Sequence, residues 1–548
     1  MEKNGQKEHH AHIRAALFYG AVVEGIPDLL FVEYQEHKNH IRIYELQITP
    51  ELQGKGIGSE ILQYLISKGR HKITLRTSKT GDALKFWQKH GAKVIGENEE
   101  DFEMEITTKN KPKPNDNYSS PRWTGEIADC SLPVTFDTYS NCSFGCVYCF
   151  SQYQRGIGKT KETYFAKQVK SVSVEKVKRI FTSPENNQFW EYIKDRRPIQ
   201  WGGLSDQFDG YEKTYGVTYE ILKFLREINY PICFSTKSAW VFFDDKYREL
   251  FKGADNWNMK FSIITMNEEK ARKIEVGVPT PSERLRAMEE YSKLSKGGST
   301  LRLRPFIIGV STDGYIDLIK AASSAGANAM TTEFFCMEQR AKNQATEHYK
   351  IISECCGFDI VDFYKRYSNG TGYLRLNRAI KKPYIEKMKE TAHDCGMRFY
   401  VSDAHWKELS DNGCCCALPP DWNYSRGNFS YALQIAKRKG ECSWDDIEKD
   451  MYFINTFEWR NANGFNCNSS EARAKYDGMT MKDYLRYLWN NPKKGQSPYT
   501  MFGGVMKPDH LDKNGNIVYK YDESKTIQPC THNCENCTAN GFYDTLEE

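Results

Sequence analysis

The pattern of apolar and polar positions changes character twice along the chain. In the first stretch the alternating run Ile41-Arg42-Ile43-Tyr44-Glu45-Leu46-Gln47-Ile48 predicts a strand, followed by a glycine-rich turn and a helix to about Ser67. Residues Lys109 to Asn117 are polar, punctuated by Pro112 and Pro114, and carry no apolar periodicity, which predicts an extended linker. Beyond it, short β-rich runs alternate with amphipathic stretches. The runs are Val134 to Tyr139, Ile199 to Trp201, Ile232 to Thr236, Phe261 to Thr265, Leu301 to Ile308 and Met330 to Phe334. Helical stretches are expected at Tyr219 to Ile228, Ser282 to Leu294 and Tyr315 to Ala325. Six such strands predict a partial (β/α)6 barrel of the TIM type. From Gly413 the alternation fades and Cys, Trp, Tyr and Asn become frequent. The expected class is therefore α/β multidomain. An α+β domain fills residues 1–108, a linker 109–122, the barrel 123–412, and an irregular cysteine-rich metal-binding region 413–548.

Composition narrows the classes. At 548 residues, with 27% charged and 39% hydrophobic residues, the chain reads as globular. No run approaches the ~18 apolar residues of a bilayer helix, so no membrane is expected. The polar opening Met1 to Lys7 has no apolar segment behind it, which leads to the expectation of a reducing cytoplasm. Lys+Arg 76 against Asp+Glu 72 gives a net charge of +4, which neither demands nor excludes a nucleic acid. The 17 cysteines change the picture, because in a reducing compartment clustered thiols are metal ligands or catalytic groups.

Cys142, Cys146 and Cys149 follow the strand that starts at Val134, on a loop at the C-terminal end of a barrel strand, where βα barrels carry their chemistry. Three thiolates bind three irons of a [4Fe-4S] cube and leave one iron open, whereas zinc asks for a fourth ligand close by. This CxxxCxxC, with Tyr148 before the last cysteine, resembles the signature of the radical S-adenosylmethionine (SAM) superfamily. The resemblance implies SAM on the open iron, an electron donor such as flavodoxin or ferredoxin, and a 5'-deoxyadenosyl radical that abstracts hydrogen from substrate. It also implies that Tyr148 lies against the adenine and that Gly202 and Gly203 hold the methionine amino group. Leu204 stands where that glycine motif usually has an acid, and Asp206 either substitutes for it or caps a helix. The run Gly203 to Asp209, with Ser235-Thr236-Lys237-Ser238, Glu275, Arg284 and Arg304 to Gly309, is similar to the spore photoproduct lyase branch. On that resemblance Lys237 is a SAM contact; otherwise it is a solvated rim lysine. The lyase's hydrogen-donating cysteine has no placeable counterpart, and Cys336 is the thiol singled out as a donor.

Near the N-terminus, the strand ending at Ile48 runs through Pro50 into Gln53-Gly54-Lys55-Gly56-Ile57-Gly58 and then a helix. Strand, glycine turn and helix together point free backbone N–H groups at a phosphate. With Ala83-Leu84-Lys85-Phe86-Trp87-Gln88-Lys89-His90-Gly91-Ala92, the segment resembles the Gcn5-related N-acetyltransferase (GNAT) family over roughly residues 13–106. This implies acetyl-CoA or CoA, with its pyrophosphate held at Ile48, Gln53, Gly54, Lys55, Gly56, Ile57 and Gly58. Trp87 replaces the family's usual tyrosine acid, and an indole is no proton relay. Glu45 is either a base or an ordinary exposed carboxylate. Two readings stand, N-acetyl transfer or a docking and CoA-sensing module.

Cys530, Cys534 and Cys537 repeat the CxxxCxxC spacing after a hydrophilic segment, and Cys415, among Cys414-Cys415-Cys416, is the candidate fourth ligand. A closed four-thiolate site is expected of an auxiliary [4Fe-4S] cluster or of zinc. The stretch Trp422 to Tyr431, with Lys437-Arg438-Lys439, mixes aromatic faces with cations, as a base-binding groove does; buried aromatics are the alternative. A radical SAM core joined to a GNAT-like domain is similar in architecture to the catalytic subunit of Elongator, with the order reversed. The expected function is thus nucleobase or nucleotide modification on tRNA or DNA. Peptide or protein modification with an auxiliary cluster is the second reading.

Overall fold

The computed structural model describes residues 30–37, 40–50, 53, 57–67, 72–107, 114–151, 168–338, 346–369, 373–454 and 479–525. The first unit is a five-stranded sheet of order β1-β2-β3-β5-β4. Its strands are β1 (Leu30–Glu36), β2 (His40–Ile48), β3 (Lys72–Ser78), β4 (Lys93–Glu97) and β5 (Asp101–Thr107). Helices α1 (Ile57–Ser67) and α2 (Asp82–Lys89) flank β3 in sequence. The core is built from alternate strand positions, Val32, Ile41, Ile43, Ile73, Leu75, Met104 and Ile106, with Ile61 and Leu65 of α1 and Trp87 of α2. Strands β2 and β3 run parallel, but their pairing stops at Ile43 opposite Leu75. β2 continues to Ile48 paired only with β1, so the two parallel strands separate toward the end where α1 begins.

The central sheet has eight strands in the order β18-β14-β13-β11-β10-β9-β7-β6. These are β6 (Arg122–Trp123), β7 (Val134–Phe136), β9 (Ile199–Trp201), β10 (Ile232–Thr236), β11 (Trp257–Ser262), β13 (Ser299–Phe306), β14 (Ala329–Phe334) and β18 (Arg398–Val401). Every neighbouring pair is parallel except β6 with β7. The six-strand expectation is therefore corrected to seven parallel strands and one antiparallel edge. The seventh, β18, is short and follows a long helix, so its apolar run Phe399-Tyr400-Val401 carries little period of its own. Short β8 (Gly145–Cys146) and β12 (Glu275–Val276) pair with each other beside the sheet. A small ribbon, β15 (Cys336–Glu338), β16 (Ser368–Asn369) and β17 (Tyr373–Leu376), follows β14.

Alternation assigns the two faces of the barrel. Phe136, Trp201, Phe234, Met259, Phe261, Leu301 and Leu303 belong to the apolar core. The intervening positions, Gln200, Cys233, Ser235, Lys260, Ser262, Arg302, Arg304 and Glu333, are polar and fall on the other face. Such an interior needs internal partners. Lys260, 4% exposed, donates to Gln200 Oε1 (2.7 Å), which also accepts from Cys416 Sγ (3.4 Å).

Two sequence boundaries move. Residues 114–122 are part of the barrel: Asn115 bridges Lys170, the Ser120 hydroxyl accepts from the Asp137 amide (2.9 Å), and Arg122 pairs with Asp137 (2.5 Å). At the other end, the chain beyond Gly413 crosses back to the turn before β7. Ser131 Oγ donates to the Gly413 carbonyl, Ser425 N to the Ser131 carbonyl, and Phe429 N to the Ala128 carbonyl. It spans the two sides of the sheet, from β18 to the turn before β7. Tyr424 and Phe429 are core residues of this closure, which for these two side chains selects the buried-aromatic reading over the base-stacking one. Lys437 donates to the Glu408 carbonyl and Lys439 pairs with Asp446. A last sheet, β20 (Met506–Leu511) and β21 (Ile517–Tyr521) with β19 (Glu441–Cys442), packs into the same core.

The closure is pinned by Lys407, whose ammonium bonds Asp129 and Ser430 and is 5% exposed as a residue. Replacing one partner of a buried pair strands the other charge. Lys407→Met is expected to destabilise the barrel by about 3 kcal/mol, read as a lower denaturant midpoint of tryptophan fluorescence.

Candidate active site at the barrel rim

Cys142, Cys146 and Cys149 all line one half-open cavity of about 180 Å³ at the C-terminal ends of the strands. The loop carrying them is braced from three sides. Asp209, 1% exposed and the N-cap of α3 (Gly210–Tyr215), accepts from the Ser143 amide (2.6 Å), and Ser143 Oγ accepts from the Gly210 amide (2.9 Å). β8 pairs with β12, bringing Cys146 opposite Glu275. Tyr148 donates its hydroxyl to Glu275, whose carboxylate also pairs with Arg284 (2.5 Å) and Lys237 (3.3 Å). Burial opposes the Glu275 charge, but Arg284 and Lys237 hold its carboxyl down to about 2. The Lys237 ammonium also lies 5.4 Å from the Tyr148 ring centroid. Burial pushes the Cys142 and Cys146 thiols up from their ordinary value. Among the described residues, no three His, Cys, Asp or Glu side chains are gathered so as to share a single metal ion.

The opposite wall is the turn after β9. Gly202 sits at φ +90°, and a Cβ there would lie 2.4 Å from the Ser235 carbonyl oxygen. Asp137, fully buried, accepts from the Leu204 and Ser205 amides (2.8 and 2.9 Å) while pairing with Arg122. Asp206 accepts from the amides of Phe208 (2.9 Å) and Lys237 (2.6 Å) and from the Thr236 hydroxyl (3.0 Å). Its carboxylate thus ties the turn after β9 to the turn after β10, and Asp209, not Asp206, caps the helix. Gly203, Lys237 and Cys336 line the cavity as well. Burial pushes the Cys336 thiol up to about 12.

Three lining residues carry more than the sequence reading assigned to them. Arg304 pairs with Glu333, and its neighbour on the same face, Arg302, donates to Ser262 Oγ (3.1 Å) with no carboxylate in ion-pair range among the described residues. Burial and the Arg304 charge bring Arg302 down to about 10. Arg302 and Glu333 had only the polar positions of apolar strands as a signal. Cys415 lies at the barrel closure, where its carbonyl accepts from the Thr331 hydroxyl (2.8 Å). Cys530, Cys534 and Cys537 fall outside the described residues.

In the first unit, Glu45 is exposed on β2 opposite Glu33. Gln53 Nε2 donates to the Ile48 carbonyl (2.8 Å), and Ile57 opens α1. A Cβ at Gly58 would lie 3.0 Å from the Phe86 ring and 3.2 Å from Ile48 Cδ1, so glycine allows α1 to approach the strand end. Gly54, Lys55 and Gly56 lie outside the described residues. Trp87 is 6% exposed and packs edge-on against Phe86.

The acetyltransferase (GNAT) family model matches residues 9–92, around this separated strand pair. Residues 9–92 are a GNAT acetyltransferase domain. No curated protein matches the chain. Among solved structures, it is similar to a PaiA N-acetyltransferase from Thermoplasma acidophilum in complex with coenzyme A, at 26% identity. That match covers 14% of this chain and 53% of that one, with a TM-score of 0.14. The Ard1 structure from Thermoplasma volcanium matches at 15% identity over 14% and 62%, TM-score 0.14. Streptococcus suis SuiB bound to S-adenosylmethionine matches at 11% identity over 52% of this chain and 54% of that one, TM-score 0.32. The chain therefore spans 53% and 62% of the two acetyltransferase chains and about half of SuiB. The GNAT domain touches the barrel where α1 faces α3, with the Tyr215 hydroxyl donating to Gln63 Oε1 (2.6 Å).

Glu275 is the junction of the rim. Glu275→Gln leaves Arg284 and Lys237 without their buried carboxylate, with an expected cost of about 3 kcal/mol. Thermal melting followed by circular dichroism reads this loss, and Tyr148→Phe, which keeps the carboxylate, is expected to cost about 1 kcal/mol.

Proposed function

We propose that this protein is a radical SAM enzyme that modifies a nucleobase or nucleotide, on tRNA or DNA, and carries a CoA-binding GNAT domain. The observation that carries the reading is the convergence of the Cys142, Cys146 and Cys149 thiols with the Gly202-Gly203 turn and a cationic wall on one cavity. The donor set fits an iron-sulfur cluster: three soft ligands on one loop, each available to a different iron. Cys142, Cys146 and Cys149 would hold such a cluster, and with SAM bound it would supply one-electron reductive cleavage of the sulfonium and hydrogen-atom abstraction from substrate.

The chain's own groups set the surroundings. Gly202 and Gly203 offer backbone to an amino-acid moiety at the cavity edge, and Lys237 offers a cation beside Tyr148. Arg302 is half-buried in the cavity wall and donates to Ser262, which leaves guanidinium N–H groups to meet a carboxylate or phosphate arriving with substrate. A phosphate-bearing nucleotide meets this need directly, and this favours the nucleotide reading. Cys336, with its thiol pushed up to about 12, is protonated at neutral pH and keeps an S–H hydrogen to give. In the GNAT domain the parting of β2 from β3 exposes strand backbone beside the glycine turn, as CoA binding requires; Trp87, buried in the core, supplies no proton.

The test is anaerobic reconstitution with iron and sulfide, then dithionite and SAM, with 5'-deoxyadenosine as product. Wild type is expected to form it and Cys146→Ala to lose it. Added tRNA or DNA is expected to raise its rate of formation. Stimulation by a peptide pool alone would overturn the nucleotide reading and leave peptide modification.

A further inference from the structure

Cluster and SAM account for only part of the wall of the cysteine cavity. Phe150, Arg302, Arg304, Glu333 and Cys336 line it as well. Four of its five aromatic rings, Phe144, Tyr148, Phe334 and Phe335, are buried, whereas Phe150, next to Cys149, is 45% exposed. Nothing in core packing calls for a large apolar ring at a cavity mouth, but an unstacked base does, because its faces seek an aromatic plate.

Glu333 is the second feature. It lies on β14 with its side chain 22% exposed, and its Oε2 is buried against Arg304. Its other oxygen, Oε1, is not buried, and among the described residues no hydrogen bond reaches it. An ionised carboxylate only accepts, so this atom asks for an N–H or O–H donor from whatever fills the cavity. Cys336 follows three residues later, and after burial the Glu333 charge is the next cause that raises its thiol, so the open acceptor and the hydrogen-bearing thiol are neighbours. Arg302, tied only to Ser262 Oγ (3.1 Å), brings the complementary charge to the same wall.

Resting on the nucleotide reading above, we infer that this wall is a base-recognition subsite. Phe150 stacks on the base, Glu333 Oε1 accepts from an exocyclic amino group, and Arg302 meets the phosphate. The subsite takes adenine, cytosine or guanine, each of which carries such an amino group. It rejects uracil and thymine, whose single ring N–H lies between two carbonyl oxygens that a carboxylate repels.

The full chain carrying reconstituted cluster and SAM, without reductant, is titrated into fluorescently labelled oligo(dT) or oligo(U) and into the same strands with a single central A, C or G. Anisotropy reads affinity. At least one amino-bearing strand is expected to bind about ten-fold more tightly than the unsubstituted one. Glu333→Gln, whose amide also donates to carbonyl oxygens, is expected to erase that preference while still binding oligo(dT), which a misfolded variant would not do. Phe150→Ala is expected to weaken every strand about ten-fold, and Phe150→Trp to restore affinity. Equal binding of all strands to wild type overturns the subsite and leaves the nucleotide reading standing, as does wild-type affinity in Phe150→Ala or an unchanged preference in Glu333→Gln. A loss of SAM affinity in Glu333→Gln that matches its loss of preference assigns the carboxylate to the cofactor and overturns the subsite too. Binding of no strand overturns the nucleotide reading and the subsite with it.

Discussion

The rim depends on where one buried carboxylate goes. Glu275 follows α4 (Glu268–Ile274), pairs its backbone with Cys146, and accepts from Tyr148, Lys237 and Arg284 at once. A lone carboxylate at 2% exposure is costly, and two cations with a phenol offset that cost only when all are in place. The same set fixes the cysteine loop, the turn after β10 and the first turns of the helix Pro281–Leu294. Asp137 does the corresponding work on the far side, where one carboxylate organises Arg122 and the amides of the turn after β9. The site is thus held by ionic junctions that reinforce the backbone pairing between its loops.

A sheet with an apolar helix-facing side and a polar interior has a second demand, which is closure. The sheet ends at β18 on one side and at the two-residue β6 on the other, and an open edge would expose backbone groups and the interior polar row to water. The segment after Gly413 meets this demand by crossing to the turn before β7 and carrying Cys416 to Gln200, while Lys407, just ahead of it, pairs with Asp129. The interior polar row is then satisfied below the cavity, while Arg302 faces into it.

The GNAT domain contacts the barrel on α3, the helix whose N-cap Asp209 also holds the Ser143 amide. One short helix therefore touches the neighbouring domain and the cysteine loop. That arrangement links the two domains through a single element whose geometry both sides share.

The sequence by itself determined the local units. The spacing of Cys142, Cys146 and Cys149, the glycine turn before α1 and the alternation of strands with amphipathic helices are short-range patterns, and each reports a local backbone geometry directly. The family match at residues 9–92 rests on patterns of this kind. Tertiary structure decided what lies far apart in the chain: the pairing of Glu275 with Tyr148 and Arg284, the entry of β18 into the sheet, the use of Tyr424 and Phe429 as core, and the placement of Arg302 against Ser262 in the cavity wall. Residue type and period do not encode these, because a charged or aromatic side chain carries the same local signal whether its partner is solvent, another loop or a ligand.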